Sequence, residues 1–413
     1  MGITNREIES GSDSDSSKHD SDEDSDSSNG VYSVCSSSES QNATQDKDAN
    51  KSEEEEEDRV IQAIRKEQER VRDHPPDIRA DSFIVDLSFH PQSNIIAAAL
   101  ITGDVSLYKF SSEVNEIVNN LENHKKAARA VEFSEDGHYL YSVSKDKSIC
   151  VTDVDLGKPK RFIKKAHRHV AIENEPIYSA HVLDENLFAT GDDDGTVKLW
   201  DLRKETPIFA LKEMEDYVSC IITNDSKRYL ICSSGEGTIT AINIGTKKLH
   251  MQSELYEAEL NSMILIKGDK KLVVGSSKGK MYLFNWGEFG YHNDEFIGPK
   301  HSINSMVAIS DSVVVGGFED GKLRATHFFP HQQLGIVGQH EFAVENIDIS
   351  SDGELLASCS HDQLIKFWNI KYFEEMKINY KGKVNKAKVS KFNLPSSNQK
   401  NVSDFFADLA NDD

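Results

Sequence analysis

Residues 190–203 read TGDDDGTVKLWDLR, a polar turn followed by a strand in which Val197 and Leu199 alternate with polar residues before Trp200 and Asp201. Asp192, Asp193, Asp194 and Gly195 suit a tight reversal, and alternation places the apolar side chains on one face, so the stretch predicts a β-hairpin. With Trp200 as marker, the same frame recurs at Tyr108, Thr152, Ile242, Phe284, Thr326 and Trp368. Successive markers lie 44, 48, 42, 42, 42 and 42 residues apart. Around Thr152 the alternation predicts three strands, through Val131 and Phe133, Leu140 and Ser142, and Ile149 and Val151, with Asp136-Gly137 turning between the first two.

A near-constant period of about 42 residues is the signature of four-stranded propeller blades. One such sheet cannot bury both faces alone, so each blade must pack between two neighbours around a channel. Seven markers predict an all-β, seven-bladed propeller over residues 77–376. In residues 78–371 the chain resembles the WD-repeat propellers, and the resemblance implies a His, Ser/Thr, Asp and Trp hydrogen-bonding within a blade. His340, Ser358, Asp362 and Trp368 match in the seventh repeat, and His167, Thr190, Asp194 and Trp200 in the third. The second repeat has His124, Ser142 and Asp146, with Thr152 in place of Trp; repeats four to six depart further and should rest on packing. Residues 77–82 are expected to supply the last blade's outer strand, in preference to residues 376–380, because that joins the chain ends and leaves no blade a strand short.

The flanks differ sharply in composition. Residues 1–58 carry 18 acidic and 4 basic residues, which leaves the other 355 at a net charge of −9 out of −23. So much like charge with so little to bury predicts a disordered acidic, Ser-rich tail. Ser10, Ser12, Ser17 and Ser21 each precede an acidic residue by three positions and are candidate phosphosites. The tail either solvates or docks a basic protein such as a histone. Residues 53–72 predict a helix on the spacing of Val60, Ile61, Ile64 and Val71, giving a helical linker over 59–76 that lies on the ring or meets a partner helix. Residues 377–413 form a Lys-rich tail ending in SDFFADL, whose Phe405 and Phe406 either dock into a partner groove or fold back on the ring.

No run of 18 apolar residues occurs and the first residues are polar, so neither a membrane span nor a secretory signal is expected, and the compartment is expected to be intracellular. Five cysteines without a C-x-x-C pair suit reduced thiols. Residues 275–280 are one residue short of a phosphate loop, and Asp192, Asp193 and Asp194 lack the remaining ligands of a calcium loop. His167 and His169 form no zinc motif, and no G-x-S-x-G occurs. These observations predict a protein that is not an enzyme, with no cofactor and no metal.

Lys158, Lys160, Arg161, Lys164, Lys165 and Arg168 leave the second repeat, and Lys125, Lys126 and Arg129 hold the equivalent place one repeat earlier. They either hold RNA phosphates by charge or guard an edge strand; specific single-strand readout by stacking aromatics is not expected. The third repeat is longer by about five residues, which places an extra loop at 169–176 as a contact candidate.

Residues 130–149, 189–205, 275–290, 338–350 and 403–409 together resemble the WD repeat-containing protein 55 family, with Phe284-Asn285-Trp286 and Phe289-Gly290 more particular than a generic repeat. The resemblance implies a nucleolar protein needed for ribosomal RNA production and ribosome assembly; the chain is expected to be a monomeric ring that gathers proteins of pre-ribosomal assemblies, with direct RNA contact left open and a generic cytoplasmic scaffold as another option. A second reading starts from Trp200-Asp201-Leu202-Arg203, similar to the motif by which some propellers dock to the adaptor of cullin ubiquitin ligases; Arg203 otherwise caps the strand in solvent.

Overall fold

The computed structural model describes residues 73–167, 175–376 and 392–397. Its 28 strands form seven antiparallel four-stranded sheets. Blades one to six each use four consecutive strands, starting at Ile84, Ala128, Ile177, Val218, Leu260 and Ile303. Blade seven takes three strands, Val344–Ile349, Leu355–Ser360 and Leu364–Asn369, and its outer strand comes from Ile78–Arg79. Ile78 pairs with Ile365 and Arg79 with Leu364, and the Ala80 amide donates to Gln363 O at 2.9 Å. N-terminal residues therefore close the ring; of the competing segment, residues 377–380 lie outside the described residues.

The seven markers occupy one register position. Tyr108, Thr152, Trp200, Ile242, Phe284, Thr326 and Trp368 sit on third strands opposite Ile96, Leu140, Phe188, Leu230, Leu272, Val314 and Leu356. All seven markers are buried. The repeat is thus a packing repeat first: a side chain at this position fills the space between adjacent sheets whatever its polarity. Ile242, Phe284 and Thr326 need no histidine network to do so.

Carboxylates on the inner strands clamp blades together. Asp86 of blade one accepts from the Val131 amide of blade two at 2.7 Å, Glu132 of blade two from Val182 of blade three at 3.0 Å, and Asp348 of blade seven from Phe89 of blade one at 2.7 Å. Burial pushes the Asp86 and Asp348 carboxyls up to about 7, against the pull of the amides they accept from.

After the last strand a short helix, Tyr372–Glu375, packs Tyr372 and Phe373 against the core shared by blades six and seven. Residues 392–397 return to blade six, where the Ile336 amide donates to Phe392 O and the Leu394 amide donates to Ile336 O, both at 2.8 Å. Cys150, Cys220, Cys232 and Cys359 are free thiols. No helix among the described residues is long and apolar enough to cross a membrane.

Candidate interaction site on the ring

In blade seven, His340 Nδ1 lies 2.7 Å from Asp362 Oδ2, and its Nε2 lies 2.7 Å from Ser358 Oγ, which also accepts from Trp368 Nε1 at 2.8 Å. Burial opposes charge on Asp362, but His340 outweighs it and holds the carboxyl below its usual range. Blade three builds the same chain from His167, Thr190 and Trp200, with a different acid. His167 Nδ1 meets Asp192 at 2.8 Å, while Asp194 turns outward to pair with Lys212 at 2.5 Å. The expectation for Asp194 is therefore corrected to Asp192. Its other oxygen accepts from the Asp194 and Thr196 amides, which points this side chain inward from the turn. In blade seven the corresponding position is Ser360, so the carboxylate two residues later takes the role.

Blade two relays the contact. His124 Nδ1 reaches Ser148 Oγ at 2.8 Å, Ser148 hydrogen-bonds Asp146, and His124 Nε2 meets Ser142 at 2.9 Å. Thr152 in the marker position accepts from Asn123 Nδ2 at 3.1 Å. These three networks hold the upper turns of blades two, three and seven against the loops that precede them.

That bracing assembles a basic rim. The Ala166 amide donates to Lys147 O and the Lys145 amide to Ala127 O, so the turn carrying Lys145 is fixed between the loop bearing Lys125 and Lys126 and the loop bearing Lys164 and Lys165. All five of these lysines are exposed. The remainder of the sequence cluster goes elsewhere. Lys160 donates to Tyr139 OH at 2.7 Å, and Arg161 spans to Asp201 O and Leu202 O of blade three at 3.1 and 2.7 Å. Arg168 and residues 169–174 of the expanded loop lie outside the described residues.

Next to the lysines is the mouth of the channel, which sequence patterning did not show. Every inner strand has a bulge after its first residue, and the seven extra residues are Val85, Arg129, Tyr178, Ser219, Asn261, Asn304 and Glu345. A bulge re-aims the unpaired side chain. Here all seven line one cavity of about 600 Å³. Arg129 pairs with Asp193 and lies over the Tyr178 ring, 5.0 Å from its centroid; Tyr178 packs on Tyr217 at 4.6 Å, and Tyr217 OH reaches Glu259 at 3.3 Å. Aromatic residues thus do stand beside this cluster: Tyr178 under Arg129, and the exposed Phe162 of blade two, whose ring centroid lies 5.9 Å from Lys164 Nζ. Arg129 and Tyr217 both pack on Tyr178, which leaves less of it for a base to stack on. Deeper in the cavity His181 meets Glu132 at 3.2 Å. Burial works against charge on this imidazole, and Glu132 outweighs it to raise the pKa.

The opposite rim holds Arg203, because the third strand Thr196–Asp201 runs away from the upper turn. The Arg203 side chain is 69% exposed, and its Nε and Nη2 bind the two Asp201 oxygens at 2.9 and 3.0 Å. The guanidinium pushes the Asp201 carboxyl down to about 2. Phe405, Phe406 and Ser10, Ser12, Ser17 and Ser21 lie outside the described residues, as do residues 1–72, with the predicted helix over 53–72. No cluster of His, Cys, Asp and Glu suited to a metal ion occurs among the described residues.

Blades of this construction, ordered by His, Ser/Thr, Asp and Trp networks in the third and seventh, define a WD-repeat β-propeller. The solved β-propeller domain of Cps50 (Swd1) from Myceliophteria thermophila superposes with a TM-score of 0.61 at 15% identity, covering 71% of this chain and 98% of that one, a likeness of fold alone. The family profile WDR55 matches residues 75–373. The WD repeat-containing protein 55 homolog of Aedes aegypti is 53% identical over 356 residues, 86% of this chain and 75% of that protein. The homolog of Drosophila persimilis is 50% identical over 355 residues, 86% of this chain and 69% of that protein. The chain belongs to the WDR55 family.

Proposed function

We propose that this protein is a non-enzymatic scaffold of the nucleus and nucleolus that gathers partners of ribosomal RNA production and ribosome assembly. The family and the propeller fold support a protein-interaction scaffold. The observation that carries the choice of partner is the basic rim: Lys125, Lys126, Lys145, Lys164 and Lys165 stand together on one face of a chain whose net charge is −23. A local positive patch on an acidic protein attracts polyanions by counterion release while the remaining surface repels them. That suits pre-ribosomal assemblies, whose RNA phosphates and acidic proteins meet this rim, with the channel mouth beside it reading a protruding side chain.

The test is affinity purification of the tagged protein from nuclear extract, with and without ribonuclease, beside a variant carrying Lys125→Glu, Lys145→Glu and Lys164→Glu. Recovery of pre-ribosomal factors by the wild type and their loss from the variant supports the reading; loss under ribonuclease assigns the contact to RNA. Equal recovery by both chains refutes the role of the rim. The exposure of Arg203 on the opposite rim keeps a second reading in play, a substrate receptor of a cullin-RING ubiquitin ligase. Recovery of a cullin adaptor by the wild type and its loss in Arg203→Ala favours that role.

A further inference from the structure

Blade six does not end at its fourth strand. That strand, Gln332–Gln339, is eight residues long, and residues 392–397 of the same chain lie along it, Asn393 bridging to Ile336 in parallel. Three features make this a built site. The Ile336 amide and carbonyl both bond the added segment. Leu394 is buried to 5% exposure among Val337, Ile370 and Trp368, with Tyr372 and Phe373 packed against the cluster. Ser396 Oγ donates to Val337 O at 2.8 Å and meets Tyr372 OH at 2.9 Å. The Ser397 amide returns to Leu394 O at 2.9 Å, a turn with Pro395 at its second position, where proline is favoured.

The strand is shaped for the segment. Gly335 has φ +151°, and a Cβ there would lie 2.7 Å from Phe392 O and 3.1 Å from Leu394 Cγ, so only glycine lets the added backbone approach. By contrast Phe392 is 62% exposed and contributes little to the fit. The recognised features are therefore an extended backbone, a leucine, and a proline-serine turn.

We propose that the outer edge of blade six is an acceptor site for an extended Leu-Pro-Ser peptide, and that residues 392–397 occupy it in cis until a partner's segment of the same chemistry displaces them. The segment grips the strand's main chain at two residues, Ile336 and Val337, whereas the strand offers eight residues to a longer peptide. Addition of a strand to a sheet edge, with a pocket for one side chain, is an established way to bind peptides. Fifteen residues, 377–391, link Met376 to Phe392. A tether of such length gives an effective concentration on the order of millimolar, which excludes weak ligands and admits a tighter one.

The experiment measures binding of a fluorescent peptide of residues 389–400 to the full chain and to its Leu394→Asp variant by anisotropy. The variant is expected to bind at least about tenfold more tightly than the wild type, since its own tail no longer competes. Gly335→Ala in the Leu394→Asp background should abolish binding, as should Leu→Asp in the peptide. Absence of binding to a Leu394→Asp chain that still unfolds in one cooperative transition, or equal affinity for both chains, overturns the proposal. If that variant fails to fold, a wild-type chain cut after folding at a protease site placed within 377–391 replaces it. Uptake of labelled peptide then supports the site, and lack of uptake overturns it. A wild-type dimer in sedimentation that the peptide dissociates would assign the edge to a second copy and overturn the assignment to a partner.

Discussion

His167 Nδ1 lies 2.8 Å from Asp192 Oδ2, and both side chains are fully buried. Asp194, the residue at the spacing seen in blade seven, is partly exposed and paired with Lys212. Removing one partner of a buried pair costs far more than removing an exposed one. Asp192→Ala is expected to lose about 3 to 5 kcal/mol, and Asp194→Ala less than about 1 kcal/mol, read from the midpoints of denaturant unfolding.

Ring closure rests on Ile78, buried with Ile84, Ile365 and Phe367 in the core between blades seven and one. Ile78→Asp should destabilise by about 3 kcal/mol or more, because it puts a charge where no partner waits. Leu394→Ala, at the other end of the chain, should cost about 2 kcal/mol and leave the ring closed. Thermal unfolding of the two variants, beside a deletion of residues 77–82, separates closure from the clip; the deletion should be the most damaging of the three.

Trp368 packs flat on the backbone at Gly338, where an added Cβ would stand 2.5 Å from the indole. The indole is also held by its hydrogen bond to Ser358 and cannot retreat. Gly338→Ala is therefore expected to lose about 1 to 3 kcal/mol from overpacking, with a loss of indole fluorescence structure that Gly353→Ala, in open space but at φ +72°, does not share.

Stability should rise on mild acidification. Asp86 and Asp348 have pKa values of about 7 in the fold, against about 3.9 unfolded. They bind protons more readily when folded, so their penalty is complete above about pH 7 and is relieved as pH falls toward 4. His181, raised in pKa by Glu132, acts in the same direction above about 6.5. Asp146, Asp192 and Asp362 are held low and give up their stabilisation only as pH falls below the ordinary carboxyl range. The melting temperature should be higher near about pH 6 than near about pH 8, and Asp348→Asn should shrink the difference; an equal slope in the variant would refute this assignment.

The ring was legible because its repeat is a packing repeat. A marker must fill the same space in each blade, so Ile242 and Thr326 could be aligned with Trp200 by strand alternation alone. Choosing among Asp192, Asp193 and Asp194 was not possible on that basis: three identical side chains differ only in where the turn aims them, and the amides of Asp194 and Thr196 decide it. The channel mouth was hidden for a related reason. A bulge adds one residue without disturbing the apolar alternation around it, so Arg129, Tyr178 and Glu345 gave no signal of their convergence. Lys145 belongs to the basic rim but lies some twenty residues from Lys125 and Lys126 on one side and Lys164 and Lys165 on the other, joined to them by hydrogen bonds of its turn rather than by sequence. The blade-six clip rests on one buried leucine and one glycine, too little for a periodic signal.

The pairing of Ile78 with Ile365 spans almost the whole propeller, and this has a consequence for synthesis. The strand that seals the ring is among the first parts of the propeller to leave the ribosome, and the strand it must meet is the last. Six blades can be complete while blade seven still lacks its core strands, and throughout that interval Ile78 and the inner face of blade one have no seat. A chain ending before the strand Leu364–Asn369 would leave Ile78 unpaired and the arc open, so closure waits for the propeller's last strand.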